Sequence, residues 1–158
     1  MIFRELDELD EKLKAGMEEL RGTMIVSRGR VHILQVLPGF AAMIGDEIQG
    51  LITYHLREDE CEIVSLDSKI EGKGLGTKLI QLVIEKARQK GCRRVWLITS
   101  NDNTKAIRFY QKRGFDLKAV YPDAITEARK IKPSIPWVGY DGIPVRHEVE
   151  FEYRVTQL

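Results

Sequence analysis

The chain has 158 residues, 43% of them hydrophobic and 31% charged, with a formal net charge of +1. That length suits one domain with a sizeable core, in an ordinary globular balance. The near-zero charge excludes a global pull toward nucleic acid, membrane surfaces or acidic polymers.

Cys61 and Cys92 are the two cysteines, each in or beside an apolar run, with no C-x-x-C and no clustered histidines. Neither a disulfide framework nor a metal site is expected, and buried thiols in a reducing cytosol are. The N-terminus, MIFRELDELDEKLK, has no cationic start followed by an apolar block, so a signal peptide is not expected. No apolar run is long enough to cross a bilayer. A cytoplasmic location is expected.

Residues 2–21 carry Ile2, Phe3, Leu6, Leu9, Leu13, Met17 and Leu20 at steps of three and four, with charges between. The spacing predicts one amphipathic helix, laid on a sheet or serving as a lid or dimer face, ended by Gly22. A run of short strands with polar turns follows: MIVS, VHILQVL, FAAMIG, IQGLITYHL and CEIVSL. It predicts an antiparallel meander.

After Leu66 the period changes. Leu75, Leu79, Leu82, Val83 and Ala87 share one helical face, Gly91 stops the helix, and RRVWLIT reads as a buried strand. Strand, helix and strand make a βαβ unit, so CEIVSL and VWLIT should run parallel. A helix from Thr104 to Lys112 comes next, capped by Asp102 or Asn103. FDLKAVY is a strand, residues 122–132 a short helix, and KPSIPWVGYDGIP a proline-stiffened loop. The final VRHEVEFEYRV alternates strictly and predicts a strand with one wet face.

Two stretches carry chemistry. In Lys69–Gly91, Gly72, Gly74 and Gly76 stand where a strand turns into a helix. A helix N-terminus offers unpaired N–H groups and a positive dipole end, and glycines let a ligand reach the backbone. This suits a phosphate; the competing reading is a merely tight connection. G-x-G-x-G fits neither a P-loop nor a Rossmann fingerprint. In Thr99–Phe115, Asn103, Ala106 and Tyr110 fall on one helical face and form a shallow stripe.

Together the two stretches resemble the GNAT superfamily of acyl-CoA-dependent N-acyltransferases. Glu71-Gly72-Lys73-Gly74-Leu75-Gly76 is similar to that family's [Q/R]-x-x-G-x-[G/A] phosphate loop, with Glu71 in place of Gln or Arg. Asn103, Ala106, Tyr110, Gly114 and Phe115 fit its N-x-x-A-x-x-x-Y-x-x-x-G-F pattern without a gap. Leu66-Asp67-Ser68 has the spacing of its V-x-P segment but lacks the proline. The resemblance covers roughly residues 39–121.

The resemblance implies an α+β fold: a mixed, mostly antiparallel sheet, a central parallel pair splayed around the cofactor, and helices on both faces. It implies a single N-acetyltransferase domain over 1–158, with an N-terminal helix (1–21), a cofactor-binding core (23–121) and a C-terminal loop and strand (122–158). Acetyl-CoA would be the co-substrate, without a metal. Its pyrophosphate would lie on Glu71, Gly72, Lys73, Gly74, Leu75, Gly76 and Thr77, and its pantetheine arm along Ile63, Val64 and Leu66, facing Asn103, Ala106 and Tyr110. A backbone N–H near Leu66 would meet the oxyanion.

Tyr110 would be the general acid; a phenol, with a pKa of about 10, keeps its proton at neutral pH. Glu62 is the first candidate for general base, ahead of Asp67, His32, His147 and Glu148. The acceptor would be a primary amine of a small molecule or peptide, with no role for nucleic acid or membrane. Family members often pair through their sheets, so a homodimer through the N-terminal helix or final strand is an expectation. Two other functions stay open: a non-catalytic acyl-CoA sensor on the same fold, and a Rossmann-like nucleotide binder, which the meander argues against.

Overall fold

The computed structural model describes residues 1–6 and 24–156. Seven strands form one sheet: β1 (Ile2–Leu6), β4 (Gly39–Ile44), β5 (Glu47–Arg57), β6 (Glu60–Ser68), β7 (Arg94–Ser100), β9 (Glu148–Arg154) and β8 (Asp116–Tyr121), in that spatial order. β2 (Met24–Ser27) and β3 (Arg30–Ile33) form a separate hairpin. Three helices are described: α1 (Leu75–Gln89), α2 (Thr104–Lys112) and α3 (Ala124–Ile131). Among the described residues only β6 and β7 pair in parallel; the other pairs are antiparallel.

The chain changes direction where the sequence carries turn chemistry. Arg28-Gly29, Gly45-Asp46 and Glu58-Asp59 close the hairpins with two residues each, and Arg28, Gly29, Gly45 and Glu58 adopt positive φ. α1 buries Leu75, Leu79, Ile80, Val83 and Ala87 on one face of the sheet. These join Ile63, Val95, Leu97, Tyr110, Phe115 and Phe151 in the main core. A second cluster (Leu6, Leu34, Leu37, Ala41, Met43, Ile48 and Leu51) occupies another part of the sheet. Cys61 and Cys92 are buried and form no disulfide with each other. Burial, with smaller effects from Cys92 and Glu62, pushes the Cys61 thiol up to about 12.

The parallel β6–β7 pair, the α1 and α2 spans and the α3 helix follow the sequence expectation. Three expectations fail. VHILQVL is a strand only to Ile33, with a 3-10 turn over Leu34–Val36, and its hairpin stands outside the seven-stranded sheet. Ile2–Leu6 is a strand paired with β4, not the start of a helix. The apolar periodicity of that segment does not depend on Ile2 and Phe3, and pairing covers the edge of β4 that would otherwise be bare. The rest of the predicted helix, residues 7–21, lies outside the described residues. β9 has no wet face: Glu148, Glu150 and Glu152 are 2%, 6% and 7% exposed.

Those three carboxylates stay buried because cations and a phenol reach them. Arg28 donates from Nη1 to Glu148 Oε1 at 2.8 Å, and its backbone N–H to Oε2 at 3.1 Å. Arg94 donates to Glu60, to Glu150 at 2.8 Å and to Glu152 at 3.3 Å. The Tyr121 hydroxyl donates to Glu150 at 2.8 Å. Arg28 also stacks on the Tyr121 ring, 3.5 Å from its centroid. On β6, β7 and β9 the face of the sheet opposite α1 thus carries a layer of charge, roofed in part by the β2–β3 hairpin.

Candidate active site

β6 and β7 are joined by four rungs, from Glu60↔Arg94 to Ile63↔Leu97, and then pairing stops. Both strands continue, β6 to Ser68 and β7 to Ser100. The cause lies on the other edge of β6. Thr53 pairs with Ser65 but Tyr54 pairs with Ile63, which leaves Val64 as an extra residue against β5. A bulge bends its strand and increases its twist, so β6 turns away from β7 one residue past the last rung. The Thr53 and Ser65 hydroxyls, 2.6 Å apart, pin the far side of the bulge.

The gap is a cavity of about 100 Å³ lined by Ile63, Val64, Ser65 and Leu66 from β6, Leu97, Ile98 and Thr99 from β7, and Asn103, Ala106 and Tyr110 at α2. Six predicted residues therefore meet there. Ser65, Leu97, Ile98 and Thr99 were missed; the signal for three of them was the predicted parallel partner strand itself. Asn103 is the cap of α2, its side-chain oxygen accepting from the Ala106 N–H at 3.2 Å. Asp102 instead accepts from Ser100 Oγ at 2.5 Å and from the Tyr140 N–H at 3.2 Å, tying the proline-bearing loop to the end of β7. Tyr110 is buried against the rings of Phe109, Phe115 and Phe151.

The glycine loop lies at the start of α1. Gly72 and Gly74 have φ of +73° and +72°, and nothing stands within 4 Å of where a Cβ would be. Gly74 is the N-cap and supplies no side-chain cap. The first intrahelical bond enters from Lys78 N–H to the Gly74 carbonyl. The N–H groups just before it are the orphan donors of a helix start. Gly76 serves packing: a Cβ there would sit 3.0 Å from Phe109 Cζ. Leu75 offers only its backbone, since its side chain is in the core. Thr77 Oγ1 accepts from Arg113 Nε at 2.7 Å. Glu71 and Lys73 are exposed.

Glu62 faces the opposite side of the sheet. Its carboxylate is buried, accepts from Ser27 Oγ at 2.7 Å, and has His32 Nε2 3.2 Å from its second oxygen. The His32 ring lies off the line of a hydrogen bond, so the contact is one of proximity. Both partners come from the β2–β3 hairpin, and Ser27 was not foreseen. A second cavity, about 180 Å³, opens here, lined among others by Ser27, His55, Glu62 and Trp96. Glu62 pairs with Trp96 one rung before the gap opens. The two cavities thus meet the sheet at neighbouring rungs, on opposite faces.

The other base candidates lie elsewhere. Glu148 is committed to Arg28. His147 Nδ1 accepts from the Asp123 N–H at 2.8 Å. Asp67 stands on β6 opposite Leu51, past the bulge.

A parallel pair that parts at a bulge, beside a glycine loop opening a helix, leaves a strand-like slot next to unpaired helix-start N–H groups. The profile of the acetyltransferase (GNAT) family matches residues 9–115. The chain belongs to that family. It is 53% identical over 129 residues to the uncharacterized protein YdhI of Bacillus subtilis, covering 81% of this chain and 80% of that one. Over 45% of its length it is 39% identical to the mycothiol acetyltransferase of Corynebacterium glutamicum, a quarter of that protein. A Bacillus subtilis acetyltransferase solved in complex with CoA superposes with a TM-score of 0.65 at 26% identity, covering 76% of this chain and 78% of that one.

Proposed function

We propose that the protein transfers the acetyl group of acetyl-CoA to a primary amine, by direct attack through a tetrahedral intermediate. The observation that carries this is the unpaired β6–β7 segment with Tyr110 on one side and buried Glu62 on the other. The residues present fit acetyl-CoA. The gap offers a strand-like slot with backbone edges, and the orphan N–H groups at Gly74–Thr77 suit a pyrophosphate.

Glu62 accepts the proton of the attacking amine, directly or through water, while Ser27 holds its carboxylate and His32 lies against it. The amine nitrogen bonds to the thioester carbon, and a backbone N–H of β6 near Leu66 takes the oxyanion. Collapse breaks the carbon–sulfur bond, and the Tyr110 hydroxyl gives the departing thiolate its proton. Fixing donors and acceptors on strands and a packed helix keeps them aligned before charge develops.

The test is free-thiol release from acetyl-CoA across small amines, amino acids, aminoglycosides and peptides. Turnover on any of them supports transfer. Thermal stabilisation by acetyl-CoA with no turnover on any would support a non-catalytic acyl-CoA sensor instead.

A further inference from the structure

The cavity beside Glu62 carries an uneven distribution of charge. It is lined by the buried Glu62 and by Trp96, with three arginines, Arg28, Arg30 and Arg57, and two further acids, Glu58 and Glu60. Arg28 is occupied by Glu148 and the Tyr121 ring. Glu60 is occupied by Arg94. Arg30 and Arg57 form no ion pair among the described residues, not even with Glu58, which reaches the same cavity from the β5–β6 turn. His55, the cross-strand neighbour of Glu62, feels both of them: burial first, then His32, Arg30 and Arg57, hold it below the usual histidine range against the pull of Glu62.

A plain monoamine, positively charged in solution, meets guanidinium groups on its way to Glu62. A plain anion meets Glu62. A molecule with an amine at one end and an anion at the other satisfies both ends, with its carbon chain against Trp96. Charge complementarity of this kind fixes register and rejects wrong partners. The volume, about 180 Å³, is below that of pockets for drug-sized ligands, roughly 300–1,000 Å³. The geometry points to a small primary amine bearing a carboxylate as the acceptor, with the nitrogen at Glu62 and the carboxylate between Arg30 and Arg57. This rests on the acetyl-transfer reading for the chemistry, but not for the binding.

The experiment uses glycine, β-alanine and 4-aminobutanoate, each with its primary amide, on the CoA-loaded protein by calorimetry and with acetyl-CoA by thiol release. At least one acid is expected to bind tenfold or more tightly than its amide. In the Arg30→Gln/Arg57→Gln double variant that ratio collapses toward one, and Arg57→Lys retains part of it. An unchanged melting temperature in the variants shows that the site and not the fold was altered. Amides binding as well as acids in every pair, no binding of any acid, or a ratio that survives the double variant would each overturn the assignment. Arginine-dependent binding of an acid without turnover of any amine sustains the binding assignment and removes the acetyl-transfer reading, and the acceptor role with it.

Discussion

Ile63 pairs with Leu97, and no rung joins β6 to β7 beyond them. Ala106 of α2 looks onto the gap that opens there. Ala106→Phe should fill the slot. The dissociation constant for CoA should rise at least tenfold, about 1.4 kcal/mol, as read by calorimetry. Unchanged affinity would place the pantetheine arm elsewhere.

Tyr110→Phe keeps the ring packed among Phe109, Phe115 and Phe151 and removes only the hydroxyl. Turnover should fall by about 10²–10⁴, the usual contribution of a positioned acid, while acetyl-CoA affinity changes little. Equal turnover in the variant would remove Tyr110 from the mechanism.

Glu62→Gln keeps the Ser27 contact possible but cannot accept a proton. The rate should drop about 10²–10⁴-fold at neutral pH, and it should recover as pH rises and the amine deprotonates in solution. A variant that matches wild type at every pH would assign the base to another group.

Arg94 is the shared cation of Glu60, Glu150 and Glu152, and its side chain is 13% exposed. Arg94→Met leaves those carboxylates buried without it. Removing one partner of such a cluster costs about 3–5 kcal/mol, which should show as a lower urea midpoint with the slope unchanged. A shift within error would mean that water reaches the carboxylates.

Burial, with neighbouring His32, Arg30 and Arg57, disfavours the charged form of His55 in the folded chain. The unfolded chain therefore takes up that proton at higher pH than the folded one does. The stability tied to this site is complete above the ordinary histidine pKa of about 6.5 and declines as pH falls below it toward the folded value. His55→Gln should flatten the fall in melting temperature below that point. An identical slope would show that His55 contributes nothing to it.

Local pattern was enough for much of this protein. Helical periodicity set α1 and α2, because an apolar stripe must face the core wherever the helix lies. Gly72 and Gly74 marked a backbone with positive φ, a property of single residues. The order strand, helix, strand forced β6 and β7 parallel, since a crossover of that length returns the chain in the same direction. The spacing of Asn103, Ala106 and Tyr110 placed three cavity residues on one face.

Other features depend on residues far apart in sequence, and only the tertiary structure decided them. Glu148, Glu150 and Glu152 read as a wet face because alternation records polarity and not what covers it; Arg28 arrives from the β2–β3 turn and Arg94 from β7. Ile2–Leu6 became a strand because β4 had an open edge. The gap itself comes from a one-residue register shift between β5 and β6, which no periodicity in either strand announces. Glu62 was legible as a candidate, but its burial beneath Ser27 and His32 needed a hairpin some thirty-five residues away to fold back over it.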